Sequence, residues 1–398
     1  MRRFLVVAPN GGASLGQGGG SYVAMKIVEA LSHVHNSEVV VASLWGASPE
    51  TLARSFGLNL PPSRVRNFCL FQSKGEREPS VGAITTPYLG AVLMSVVRLL
   101  QRAVEKFDPD LVVFNDDVPR WAKNLQGNGR KSLLYSHFPY ACRLKYRNQG
   151  SESNSLLRRA SEIAVMPFMK RFFETDATSA DWVVANSSVT RRYVARTFNN
   201  DDVTIMYPPV DIPKDDLQEK SEIVVSIGAI QPNKRFLDVV EAVDQARSNW
   251  KYVILGHLRD VTYYKKLVNT VKKRGLENRV HIIPDAGKKT LSQILARSKA
   301  IVHASRFEPF GISVVEGMGA GAVPVVYNGE DSGPWIDIVA RGRFGLGYRT
   351  NEELATLIDE LMFQRHKWLE LSNRARERAR FFSTRGFSEN LIRLIGQN

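Results

Sequence analysis

The stretch Lys299-Ala300-Ile301-Val302-His303-Ala304-Ser305-Arg306-Phe307-Glu308-Pro309-Phe310-Gly311-Ile312-Ser313-Val314-Val315-Glu316-Gly317-Met318-Gly319-Ala320-Gly321 changes character twice along its length. Lys299 to Ala304 reads as a short buried strand, apolar in its middle and ended by polar residues. Pro309 and Gly311 then break the pattern, and a helix begins at or just after Gly311. Glu308 is thereby placed in the loop over a helix N-terminus, and Glu316 within the helix. Backbone N–H groups near Gly311, Ile312 and Ser313 lack intrahelical partners there, which makes a ready anion site. From Gly311 to Glu316 the helix rises roughly 7.5 Å. A sugar, a diphosphate and a ribose can be laid along that line, with one carboxylate near each end.

Outward from this stretch, strand and helix signals alternate. Phe4-Leu5-Val6-Val7-Ala8, Glu38-Val39-Val40-Val41-Ala42, Leu111-Val112-Val113-Phe114, Ser132-Leu133-Leu134-Tyr135 and Trp182-Val183-Val184-Ala185 are apolar runs rich in β-branched residues. A helical period covers Ser21 to Ser32. Unbroken runs of this kind separated by helices predict parallel sheets covered on both faces, an α/β fold. Tyr207-Pro208-Pro209-Val210-Asp211 interrupts the alternation, because paired prolines neither continue a helix nor suit an inner strand. The same alternation resumes with Ile223-Val224-Val225-Ser226-Ile227, Tyr252-Val253-Ile254-Leu255 and Val280-His281-Ile282-Ile283, so a second doubly wound unit is expected.

Composition sets bounds. A chain of 398 residues is too long for one ordinary core, and 43% hydrophobic with 24% charged residues suits a soluble globular protein. No apolar run approaches the roughly 18 residues of a membrane span. The start, Met1-Arg2-Arg3-Phe4-Leu5-Val6-Val7-Ala8, is too short for a signal peptide's apolar core. Cys69 and Cys142 have neither metal nor disulfide spacing, which points to a reducing cytoplasm. A net charge of +14 calls for an anionic partner or surface. Arg143, Lys145, Arg147, Arg158, Arg159, Lys170 and Arg171 interleave with Leu156, Leu157, Ile163, Val165, Met166, Phe168, Met169, Phe172 and Phe173. That pattern suits a helix on an anionic membrane surface, and a solvated face over core residues is the competing reading. No nucleic-acid-binding signature accompanies the charge, so no nucleic-acid partner is expected.

Other residues stand where chemistry is expected. A loop after the first strand holds Gly11, Gly12, Gly16 and the triplet Gly18-Gly19-Gly20, and such loops let backbone approach a phosphate or sugar closely. A dinucleotide fingerprint fails here, since Ser21 stands where the last glycine belongs and the second strand ends at Ala42-Ser43 without a ribose-binding acid. His137, in Ser136-His137-Phe138-Pro139, follows a parallel strand and points toward the cleft in this architecture. Asp116-Asp117 and Asp201-Asp202 read as a cap or turn and as loop acids.

Glu308-Pro309-Phe310-Gly311, then Glu316-Gly317-Met318-Gly319-Ala320-Gly321-Ala322-Val323-Pro324-Val325-Val326, resembles the signature Glu-x-Phe-Gly-x-x-x-x-Glu, small-residue run and Pro-containing strand of the retaining glycosyltransferases with two Rossmann-like domains, the GT-B architecture, of the family 4 group. Gly228-Ala229-Ile230-Gln231-Pro232-Asn233-Lys234 is similar to a family segment that supplies an arginine and a lysine to the donor diphosphate. Lys234 is in place, but Ala229 stands at the arginine position, with Gln231 or Arg235 near enough to compensate. Tyr135-x-His137-x-Pro139, Tyr207-Pro208-Pro209 and Tyr327-Asn328-Gly329-Glu330-Asp331-Ser332-Gly333-Pro334-Trp335-Ile336-Asp337-Ile338 are similar to segments of mannosyltransferases that extend lipid-linked oligosaccharides, and of archaeal relatives.

The resemblance implies an acceptor-side Rossmann-like domain over 1–206, a nucleotide-sugar-binding one over 207–380, and a crossing helix over 381–398 that returns to the first. It implies a hexosyltransferase, with mannose from GDP-mannose as donor and a glycan or polyprenyl-linked acceptor. Glu308, His137 and Lys234 are the implied catalytic residues. Gly19, Gly20, Gly228, Arg235, Phe310, Gly311, Ile312 and Glu316 are the implied donor-binding ones. No cofactor and no metal are expected, the nucleotide sugar being a co-substrate, and the expected place is the cytoplasm or the cytoplasmic membrane face. A UDP-sugar-dependent glucosyl- or N-acetylglucosaminyltransferase and a catalytically weakened scaffold are the alternatives.

Overall fold

A computed structural model describes residues 1–8, 18–46, 48–61, 63–72, 89–115, 129–139, 142, 180–212 and 219–396. The basic and apolar stretch 143–173, Gly11, Gly12, Gly16 and Asp116-Asp117 lie outside the described residues.

Seven parallel strands form the first sheet, in the order β3-β2-β1-β4-β5-β6-β7. They are β1 (Arg2–Val7), β2 (Ser37–Gly46), β3 (Val65–Gln72), β4 (Leu111–Asn115), β5 (Lys131–Ser136), β6 (Trp182–Ala185) and β7 (Thr204–Ile205). The apolar runs become inner strands: all five residues of β4 and the last four of β1 are buried. The described helices here are α1 (Gly19–Ser32), α2 (Pro49–Phe56), α3 (Leu89–Phe107) and α4 (Ser188–Phe198). They divide two apolar layers, one holding Val23, Ile27 and Leu31 of α1, the other Leu99, Leu100 and Val104 of α3.

The second sheet has six parallel strands in the order β10-β9-β8-β11-β12-β13. They are β8 (Ser221–Ile227), β9 (Lys251–Gly256), β10 (Val280–Pro284), β11 (Ser298–His303), β12 (Val323–Tyr327) and β13 (Leu346–Tyr348). Its helices are α5 (Phe236–Gln245), α6 (Val261–Lys273), α7 (Lys288–Arg297), α8 (Ile312–Gly319), α9 (Asn351–Phe363) and α10 (Arg365–Arg380). Each sheet reverses its strand order once, at β1/β4 and at β8/β11. Crevices at such switch points, beyond the strands' carboxyl ends, are where doubly wound folds take ligands.

The last helix, α11 (Thr384–Ile395), crosses back to the first domain. Phe387, Leu391 and Ile395 enter the core formed by α1, β1, β2 and β5, and the Phe387 ring lies 6.1 Å from that of Tyr135. Each such buried side chain contributes on the order of 1.5–3 kcal/mol. The outgoing and returning connections run together, Val210 donating its N–H to the Phe382 carbonyl at 2.9 Å. Among the described residues no helix is long and apolar enough to cross a membrane.

The glycine triplet departs from expectation. Gly18 alone lies ahead of the helix, at φ 144°, while Gly19 and Gly20 form the first turn of α1. Close approach is found at Gly19, while Gly20 has an ordinary contact distance. A Cβ on Gly19 would stand 3.1 Å from the Ile312 Cδ1 of the second domain, and one on Gly20 would stand 3.6 Å from the His137 ring.

Candidate functional site

The β8/β11 switch point gathers the charged residues. After β8 the chain passes Gly228 and makes a tight turn at Pro232–Lys234, and after β11 it runs through Glu308 to α8. Lys234 Nζ lies 2.6 Å from Glu308 Oε2, an ion pair between residues far apart in sequence. His303, at the buried end of β11, donates from Nε2 to the same carboxylate oxygen at 3.3 Å. Burial pushes the Glu308 carboxyl up, but the Lys234 ammonium and the His303 imidazole outweigh it and hold the group well below the usual carboxylate range. Gly228 serves this pair indirectly: a Cβ there would press on the Lys234 stem, 3.3 Å from Cε.

Glu308 is held from its other side by the segment after β12. Its N–H donates to the Asp331 carbonyl at 3.2 Å, and its carbonyl accepts from the Gly333 N–H at 2.7 Å. Gly333 admits no side chain, since a Cβ would fall 1.8 Å from the Pro309 oxygen. Gly311 precedes α8 at φ 98°, a left-handed conformation that a β-carbon disfavours. The first turn of α8 then presents the Ile312 and Ser313 amides, and Val314 already donates back to Gly311 at 3.0 Å.

Two residues expected to bind donor are otherwise engaged. The Phe310 ring is buried, stacked 5.7 Å from Tyr207 and set edge-on to Phe382, so only its main chain is left to meet a ligand. Its packing is with the interdomain connections, a consequence of the turn that Pro309 and Gly311 impose. Arg235 directs its guanidinium at Asp238, 2.6 Å away, rather than at the Lys234–Glu308 pair.

Glu316 lies deeper along α8. Burial and the nearby Asp211 charge raise its pKa, against the opposing Lys288 ammonium. Asp211 is itself tied down: Tyr22 Oη donates to it at 2.9 Å, Thr384 Oγ1 at 2.7 Å, and Lys26 Nζ pairs with it at 3.1 Å. Helix α1, the outgoing connection and the crossing helix therefore meet at one carboxylate behind Glu316.

From the first domain, Asn115 at the end of β4 bridges two expected site residues. Its Nδ2 donates to the Gly20 carbonyl at 3.2 Å, and its Oδ1 lies 3.0 Å from His137 Nε2. A carbonyl only accepts, so the amide nitrogen must face Gly20 and the oxygen must face the ring. The His137 proton on this side therefore sits on Nε2. Thr190 Oγ1 fixes the same residue's backbone, donating to the His137 carbonyl at 2.9 Å. The structure thus joins Gly19, Gly20, Asn115 and His137 on one wall, and Lys234, His303 and Glu308 on the other. Among the described residues no group of three or more His, Cys, Asp or Glu side chains is placed to hold a metal ion.

Asn115 and His303 were missed in the sequence. Each is a polar residue ending an apolar strand beside a switch point, and that position was the available signal.

Comparison with known proteins divides the chain at the same connection. Residues 17–214 match the family model described as Glycosyltransferase Family 4, and residues 209–381 match that described as Glycosyl transferases group 1. A GDP-Man:Man(3)GlcNAc(2)-PP-Dol alpha-1,2-mannosyltransferase of Dictyostelium discoideum is 25% identical over 273 residues, 63% of this chain and 54% of that protein. An alpha-1,3/1,6-mannosyltransferase of Yarrowia lipolytica is 26% identical over 233 residues, 47% of this chain and 49% of that protein. The chain spans about half the length of these curated relatives. The sucrose-phosphate synthase of Thermosynechococcus elongatus superposes over 100% of this chain and 99% of its own, with a TM-score of 0.74 at 17% identity, a likeness of fold.

Proposed function

Because the chain belongs to the glycosyltransferases that pair a family 4 half with a group 1 half, we propose that it transfers mannose from GDP-mannose to a lipid-linked glycan with retention at the anomeric carbon. The observation that carries the reading is the Lys234–Glu308–His303 cluster beside the N-terminus of α8. It supplies a cation, helix amides and a carboxylate held ionised, the set that a sugar diphosphate needs.

In this reading the diphosphate lies against the α8 amides and Lys234, whose ammonium is shared between phosphate and Glu308. Glu308 accepts hydrogen bonds from the sugar hydroxyls, Glu316 from the ribose, and His137 reaches the sugar from the opposite wall. Gly19 and Gly20 let the first domain close on the phosphates. The bond between the anomeric carbon and the diphosphate oxygen breaks as the acceptor oxygen bonds on the same face, and the acceptor proton passes to the departing diphosphate. The protein's contribution is placement and charge. The mannosyl and lipid-linked choices rest on the relatives named above.

A thermal-shift screen of GDP-, UDP- and ADP-sugars tests the donor. GDP-mannose is expected to raise the melting temperature by several degrees, since ligand at a hundredfold its Kd stabilises by about 2.7 kcal/mol. Glu316→Ala should lose most of that shift while saturated turnover falls less, ribose being remote from the breaking bond. A shift with UDP-sugars alone would move the assignment to a UDP-dependent transferase, and equal response to none would favour a scaffold lacking the cation at Ala229.

A lipid-linked acceptor places the enzyme at a membrane surface. The basic residues between 143 and 173 are expected to carry the protein onto anionic liposomes but not neutral ones in a flotation assay, at about 1 kcal/mol per basic residue near the surface. Absence from both would favour a soluble acceptor.

A further inference from the structure

The segment from Asp331 to Asp337 is gripped from two sides. Its backbone holds Glu308, through the Asp331 carbonyl at 3.2 Å and the Gly333 N–H at 2.7 Å. Its side chains hold α4 of the other domain. Arg192 donates to the Asp331 carboxylate at 2.5 Å and to the Glu330 carbonyl at 2.9 Å, and Tyr193 Oη donates to Asp331 at 3.1 Å. Four residues earlier on the same helix face, Ser188 donates to Asp337 from its N–H at 3.0 Å and from Oγ at 2.5 Å. The rings next to the two site residues also meet: Phe138, after His137, packs edge-on to Phe307, before Glu308, with centroids 4.8 Å apart.

We propose that Arg192 is a positioning residue for Glu308, acting through Asp331, so that docking of α4 on this segment sets the carboxylate for transfer. The proposal rests on the sugar-transfer reading above. A single residue, Asp331, takes the guanidinium on its side chain and the Glu308 N–H on its carbonyl, so displacing one end turns the peptide that holds the other. The two side chains are each about one-third exposed, so the pair contributes little to global stability and its loss need not unfold the protein. Placement errors of about 1 Å at a reacting group cost on the order of 100-fold in rate.

Arg192→Ala is expected to lower kcat about tenfold with donor KM within about twofold, and to leave the melting temperature nearly unchanged, as expected for placement lost without binding. Amide exchange in a peptide covering 306–311, in the other domain, should quicken. Arg192→Lys should restore part of the rate, and Arg192→Ala added to Asp331→Ala should cost little more. Unchanged exchange over 306–311, or a lower melting temperature with wild-type kcat, overturns the proposal. If wild-type protein transfers no sugar from any nucleotide tried, the functional reading fails, and the exchange experiment still decides the coupling.

Discussion

Glu308→Gln is expected to leave the protein folded and to lower the proposed sugar transfer about 100-fold. The carboxylate accepts from Lys234 at 2.6 Å and from His303 at 3.3 Å, and both geometries depend on its charge. Charge-assisted bonds of this kind are worth roughly 1.5–3 kcal/mol each, and an amide of the same size keeps the packing while weakening both. The measurement is turnover at saturating donor beside the melting temperature and circular dichroism of the variant. Full activity in a folded Glu308→Gln protein would place the chemistry elsewhere.

Lys234→Ala is the companion change, with a loss of similar size and an added signature in pH. A diphosphate gains negative charge as it leaves, and Ala229 supplies no second cation at the usual place. Removing Lys234 also removes the main influence holding the Glu308 carboxyl low, leaving burial, which pushes it up, opposed by His303. In the wild type the stabilising contribution of ionised Glu308 is present above the ordinary carboxylate pKa and is lost only as pH falls through its depressed value. In Lys234→Ala the acid limb of the pH–rate profile should therefore move to higher pH. Ala229→Arg in the same background should recover part of the rate. A mild Lys234→Ala with a damaging Gln231→Ala or Arg235→Ala would show that the phosphate clamp lies elsewhere in this loop. Arg235 is at present committed to Asp238.

Much of this was legible in the chain because the decisive pattern is local. A strand, a broken turn and a helix start within some twenty residues place Glu308 and Glu316 on their elements, and β-branched runs announce parallel strands. What stayed hidden depends on approach across long separations. Lys234 and Glu308 are 74 positions apart, and Asn115 meets Gly20 across 95. Phe310 looked like part of a binding motif, yet its ring is fixed by Tyr207 and Phe382, residues of the two connections. Gly19 and Gly20 looked like loop, yet they open α1, and Ile312 stands close enough to Gly19 to crowd a side chain there. Spacing in a sequence carries no record of such neighbours.

The crossing helix has a consequence for the order in which the chain can become a protein. Ribosomes release residues from the N-terminus, and domains generally fold as they emerge. Here the layer of the first sheet that holds Phe4, Val6 and Ile27 is closed by Phe387, Leu391 and Ile395. Helix α1 covers part of that face early, but the layer is complete only after the second domain, which lies between β1 and the crossing helix in the chain, has been synthesised. The first domain's core is therefore finished only when both domains exist, and the crossing helix ties their maturation together.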